Sequence, residues 1–284
     1  MIADLQSKTK YYKLAIDNFK MKFLSLLLFI VTTASFSLVR AQNDLNKNAE
    51  PGENYCLLIA AQNYQDKAIP SLDKPISDAV RLKTVLKENY GFLSENIISL
   101  FNPSSTDIKR QLSEISAKLK PEDNLLIFYS GHSIWFDKES KGYWLMTDAV
   151  YNNPVTWIPN KEVLELIAKI PSRHTLLIAD ACFSGSESKT TNRPSRAPSN
   201  NTASNEISRI AISSGNGTEV PDENVFMKHL LKGLADNKEN HLSAQKLFIN
   251  QIIVAVMTET RTEPRYETLE LAGHKGGDFI FSKK

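Results

Sequence analysis

A chain of 284 residues with 42% hydrophobic side chains is long enough for one sizeable α/β core with extensions at its ends. Its formal charge is +2, and residues 1–41 hold six of the 34 Lys and Arg against two of the 32 Asp and Glu, so the remainder is close to neutral. No stripe of basic residues interleaved with aromatics is present, which argues against nucleic acid as a partner.

In chain order, residues 1–41 read as a targeting segment. Lys20 and Lys22 flank Met21, a second candidate start; Phe23 to Val39 carries no charge; and Val39-Arg40-Ala41 offers a cleavage site. A cleaved signal predicts an exported mature chain beginning near Gln42, and a retained one predicts a membrane anchor; no other membrane contact is expected. Residues 42–54 form a short polar leader, and residues 55–284 one globular domain.

Within that domain, Tyr55 to Ala61 predicts a first buried strand, and Lys74 to Tyr90 a helix with Ile76, Val80, Leu82, Val85 and Leu86 on its apolar side, stopped by Gly91. Ile97 to Phe101 is a second strand, followed by a helix over Asp107 to Leu119 with Thr106 as cap. Asn124 to Tyr129 and His174 to Ala179 are continuous apolar runs too short for helices, typical of parallel strands covered on both faces. Between them Asn160 to Lys169 supplies a crossover helix with Val163, Leu164, Ile167 and Ala168 on one face. Residues 187–205 collapse to Ser, Thr, Asn, Pro, Arg and Lys, a loop composition. A strand at Ile207 to Ser213, helices near Asn224 to Leu234 and Ser243 to Thr260, and a closing Asp278-Phe279-Ile280-Phe281 complete the order. The alternation predicts an α/β fold with a mostly parallel central sheet flanked by helices.

Two of the strands run into Tyr129-Ser130-Gly131-His132 and Asp180-Ala181-Cys182-Phe183-Ser184-Gly185. A histidine and a cysteine at the carboxyl ends of neighbouring strands can serve as a proton carrier and a nucleophile. The other cysteine, Cys56, lies inside an apolar run and reads as a core residue. No His-Glu-x-x-His run or cysteine set for zinc, no P-loop ending at Gly273-His274-Lys275-Gly276-Gly277 and no Gly-x-Ser-x-Gly elbow competes with this pair; no metal or cofactor is expected.

These motifs, in this order and about 50 residues apart, resemble the caspase and metacaspase family of cysteine peptidases, the metacaspase branch more closely. The resemblance covers roughly Tyr55 to the C-terminus and implies a three-layer caspase-like sandwich that cuts protein or peptide substrates. It implies Cys182 as nucleophile, His132 as proton carrier, and the backbone N–H groups of Cys182 and Ser133 as oxyanion donors. It also implies that Asp180, Asp78 and Ser130 line the pocket for the residue before the scissile bond, favouring Arg or Lys. Read from the residues alone, the alternative for Asp78 is a helix-terminal charge and for Asp180 a structural strand-end carboxylate. Ser133 stands where the family usually has Gly; a positive φ there would strain it, so the alternative function is a catalytically weak or inactive caspase-like binding module. Lys189, Arg193 and Arg196 make residues 187–205 a candidate autoprocessing loop, or an ordinary solvated one. Several metacaspases respond to calcium, but no Asp-x-Asp-x-Asp-Gly loop assigns that property here. Oligomeric state is not legible.

Overall fold

Alternate residues of the first strand, β1 (Asn54–Ala60), enter two different cores. Cys56, Leu58 and Ala60 face one layer of helices while Tyr55, Leu57 and Ile59 face the other, as a period of two requires of a strand covered on both sides. The computed structural model describes residues 52–136, 138–181, 206–215, 224–260 and 262–284.

The central sheet has the order β10-β8-β7-β3-β1-β2. Its members are β1, β2 (Ile97–Phe101), β3 (Asn124–Ser130), β7 (His174–Asp180), β8 (Ser208–Ser213) and β10 (Arg265–Thr268). All pairings are parallel except β10 on β8. Helix α1 (Pro75–Asn89), α4 (Val225–Asp236) and the helical run Ala244 to Thr260 contribute buried side chains to one face; α2 (Ser105–Lys118) and α3 (Asn160–Ala168) do so on the other. This is the mostly parallel sheet flanked by helices that the alternation predicts and the three-layer sandwich that the resemblance implies.

Several local expectations are corrected. Helix α2 is capped by Ser104, not Thr106: the Ser104 hydroxyl accepts from the Asp107 N–H at 3.2 Å, and the Asp107 carboxylate accepts from the Ser104 N–H at 3.0 Å. Ser104→Ala is expected to cost about 1 kcal/mol, read as a lower denaturant midpoint at unchanged slope. Helix α1 does not end on a left-handed Gly91, whose φ is not positive. Tyr90 leaves the helix in extended backbone because its ring packs on Phe281 and its hydroxyl donates to the Leu234 carbonyl at 2.7 Å. Val80 is 45% exposed, and Ala79 takes its place beside Leu82 and Leu86.

Short strands escaped the sequence reading, β10 among them, whereas the closing strand expected over Asp278 to Phe281 is found at Ile280–Ser282. β4 (Ser133–Phe136), β5 (Lys141–Trp144) and β6 (Ile158–Pro159) form a small antiparallel sheet, and β9 (His241–Ser243) pairs with β11 (Ile280–Ser282). The run predicted as one helix from Ser243 is α5 (Ala244–Leu247), a π-helical segment over Phe248–Ile252, and α6 (Ile253–Thr260).

The topology also fixes where chemistry can gather. From β1 the chain first goes to one side, to β2, then crosses to the other, to β3. The crevice at the carboxyl ends of β1 and β3 is therefore the switch point where ligands bind in open α/β sheets. The loop after β1 and the residues after β3 both open onto it.

Candidate active site

His132 is the second residue beyond β3, and both of its backbone polar groups are held. Its N–H donates to the Tyr64 hydroxyl at 2.8 Å. Its carbonyl accepts from the Tyr129 hydroxyl at 2.6 Å and from the Leu145 N–H at 3.0 Å. Tyr129 is itself locked by stacking on buried Trp144, with ring centroids 4.1 Å apart. Gly131 leaves room for this clamp: a Cβ there would lie 2.9 Å from the Tyr129 hydroxyl.

The imidazole is oriented as firmly as the backbone. Nε2 lies 2.8 Å from the Pro70 carbonyl oxygen. A carbonyl only accepts, so Nε2 carries the hydrogen and Nδ1 is the nitrogen left to take a proton, an assignment made from the partner. Tyr64 packs beside the ring, centroids 5.1 Å apart. Tyr64 and Pro70 both come from the loop after β1, so at the switch point His132 is held by two connections. Neither was singled out in the sequence, since Pro70 and Tyr64 stand 62 and 68 residues from His132.

Cys182 lies outside the described residues, as do Lys189, Arg193 and Arg196. β3 and β7 pair in register with Ser130 opposite Asp180. His132 and Cys182 are each two residues further along their chains.

Ser133 opens β4, its φ is not positive, and the backbone strain that glycine would relieve is not present. The Leu145 N–H to His132 carbonyl bond makes residues 132 and 145 a close hydrogen-bonded pair. The next pair, Ser133 and Trp144, is then of the non-hydrogen-bonded kind, so the Ser133 N–H points away from β5. An oxyanion donor needs that freedom.

A second cluster adjoins the first. Asp78 sits in the first turn of α1 and is 1% exposed; Asp180 ends β7. Asn224, the N-cap of α4, donates through Nδ2 to Asp78 Oδ2 at 2.9 Å and to Asp180 Oδ2 at 2.6 Å. Its Oδ1 accepts from the Met227 N–H at 3.1 Å, which fixes the orientation of the amide. The Ser130 hydroxyl donates to Asp180 Oδ2 at 3.2 Å. Asp78, Asp180 and Ser130 are thus brought together, and Asn224 is the member that sequence reading missed; its only local signal is an N-cap residue type.

Burial dominates the electrostatics here. It pushes the Asp180 carboxyl up to about 6; the Asn224 hydrogen bond opposes this, the nearby Asp78 charge adds to it, and the Ser130 and Ser214 hydroxyls oppose it. Burial also raises Asp78, against the hydrogen bond from Asn224 and the charge of Arg81. Arg81 approaches Asp78 at 3.4 Å but is 61% exposed, so solvent screens it. Among the described residues no group of three His, Cys, Asp or Glu side chains is arranged to hold a metal ion.

A mostly parallel sheet flanked by helices, with a histidine at its switch point, has the architecture of a caspase-like α/β domain. The caspase-domain family matches residues 53–267, most of the chain, and the protein belongs to that family. Its similarity to individual relatives is low. It is 24% identical to Metacaspase-7 and 26% identical to Metacaspase-6 of Arabidopsis thaliana, each over 123 residues and 39% of this chain. Those matches span 30% and 33% of the two plant proteins. Among solved structures, Caspase-1 of Spodoptera frugiperda aligns at TM-score 0.53 and 13% identity, over 82% of this chain and 91% of that one. A Geobacter sulfurreducens protein aligns at TM-score 0.53 and 14% identity, over 76% and 93%. These two likenesses concern the fold.

Proposed function

We propose that this protein is an exported cysteine endopeptidase that hydrolyses peptide bonds after Arg or Lys, with Cys182 as nucleophile and His132 as proton carrier. Family membership supports the reaction class. One observation carries the specificity: two carboxylates, Asp78 and Asp180, share one neutral amide, and the cation in contact with them among the described residues, Arg81, points largely into solvent. A buried pair of negative charges lacking a buried counter-ion favours a cationic side chain from the substrate.

In this mechanism His132 Nδ1 takes the Cys182 proton, and the thiolate attacks the scissile carbonyl carbon. The developing oxyanion is held by the N–H groups of Ser133 and Cys182. As the C–N bond breaks, His132 returns the proton to the leaving amine. Water, deprotonated by His132, then cleaves the thioester and regenerates the thiol. The Pro70 carbonyl keeps the ring oriented by accepting from Nε2 throughout. Extended backbone at Ser133 removes one ground for the inactive binding module, the strain of a positive φ; the other ground, the absence of a visible activation device in the sequence, is met only by an activity test.

The test is a panel of fluorogenic peptides ending in Arg, Lys or Asp. Turnover of the Arg and Lys peptides, abolished by thiol alkylation, is expected; no thiol-dependent turnover of any peptide, with or without calcium, would sink the peptidase reading. Cleavage within residues 187–205 is checked by comparing Cys182→Ala with wild type on a gel. Fragments ending at Lys189, Arg193 or Arg196 in wild type alone are expected, and identical full-length bands would exclude autoprocessing. Export is checked by sequencing the mature N-terminus, expected near Gln42; an intact Met1 or Met21 in the exported fraction would refute cleavage.

A further inference from the structure

We propose that Asn224 is a specificity-determining residue: its amide is a neutral clasp that holds Asp78 and Asp180 together as one doubly charged pocket floor. The inference rests on the Arg/Lys reading of that pocket and adds the residue that sets the pocket's charge.

The geometry leaves little choice of side chain at this position. One nitrogen must reach two carboxylate oxygens, at 2.9 and 2.6 Å, from the first described position before α4. A Lys or Arg there would make the same contacts but would cancel the charge that a substrate cation has to meet. An Asp would place a third carboxylate against the other two. An amide alone supplies two hydrogens and no charge. Because Oδ1 is committed to the Met227 N–H, the amide cannot flip and turn its oxygen towards the carboxylates without breaking the helix cap.

The other groups facing the pair do not substitute for it. From β3, Ser130 reaches only Asp180, and Ser214, after β8, also serves Asp180. From α1, Arg81 reaches only Asp78, and Lys74 acts on Asp78 through its charge without a hydrogen bond. Asn224 is thus the one group described as touching both carboxylates. Its two hydrogen bonds lower both carboxyls against the burial that raises them, and so favour the ionised form of each.

The experiment separates this role from helix capping. Asn224→Ser retains an N-cap hydroxyl for the Met227 N–H but cannot bridge the carboxylates; Asn224→Asp retains the cap and the shape but adds a charge. NMR titration of the aspartate side-chain carboxyls is run on wild type and both variants, with thermal midpoints confirming that each is folded. In Asn224→Ser the Asp78 and Asp180 titrations are expected to move up by about one pH unit, the loss of a charge-assisted hydrogen bond from each. In Asn224→Asp they are expected to move further. The acid limb of kcat/KM for an Arg peptide should shift by the same amount, through KM more than kcat. Coinciding carboxyl titrations in wild type and Asn224→Ser would overturn the clasp. A wild-type protein that turns over no peptide would overturn the peptidase reading, while the carboxyl titrations would still decide the clasp.

Discussion

Asp180→Asn is expected to make the protein more stable at pH 7.5 by about 3 kcal/mol, and to lower kcat/KM for Arg peptides by about 10²–10³-fold. The two effects have one origin. In the folded protein the Asp180 carboxyl is pushed up to about 6, chiefly by burial, from an ordinary 3.8. Between those two values the folded state holds a proton that the unfolded chain has released, so this group makes stability fall as pH rises through the window. The cost is complete above about pH 6, and roughly two pH units at 1.36 kcal/mol each set its size. Asparagine has the same shape, can still accept from Asn224 and Ser130, and never ionises. At pH 4 the native carboxyl is already neutral, so the stabilisation should largely vanish there. Chemical denaturation at pH 7.5 and 4.0 measures the difference; equal stability of wild type and variant at both values would mean that Asp180 is not an ionised, desolvated acid. The substrate cation loses half of its partner in the same change. Wild-type kcat/KM for an Arg peptide should accordingly rise with pH through about 6, and a flat profile from pH 5 to 8 would count against a titrating pocket acid.

This trade explains which parts of the site could be read from the chain. Asp180 was legible because it stands in the same Asp-Ala-Cys motif as the proposed nucleophile, two residues before it. The central strands were legible because continuous apolar runs have few other uses, and the structure returns β2 with the predicted bounds. Asn224, Tyr64 and Pro70 were not, because each acts through a contact that sequence distance hides. Asn224 meets Asp78 across 146 positions, and Pro70 contributes only a backbone carbonyl, which any residue type carries. Thr106 and Gly91 were misassigned for a related reason: several candidates for a cap or a stop lay within a few residues, and tertiary contacts, such as the Tyr90 hydroxyl on Leu234, chose among them. The small β4-β5-β6 sheet was missed because strands of two to four residues leave too little periodicity to see.

His132, the proposed proton carrier, should be equally sensitive to the groups that hold it. Replacing the imidazole by His132→Gln is expected to lower kcat by about 10²–10⁴-fold, the usual worth of a positioned acid–base group. Gly131→Ala tests position alone. Its new methyl would lie 2.9 Å from the Tyr129 hydroxyl and 3.0 Å from the Ala61 Cβ, too close for either to stay put. Tyr129 cannot retreat, because its ring is stacked on buried Trp144, so the chain carrying His132 has to yield. A displacement near 1 Å costs on the order of 10² in rate when the reacting groups are otherwise intact. Tyr64→Phe removes the acceptor of the half-buried His132 N–H and is expected to cost about 10-fold, the worth of one lost hydrogen bond. In both variants the loss should fall on kcat with KM for Arg peptides nearly unchanged, because Asp78, Asp180 and Asn224 are held by α1, β7 and α4 and not by the histidine clamp. A loss in KM alone would mean that His132 and its tyrosines shape the substrate pocket and do not aim a proton.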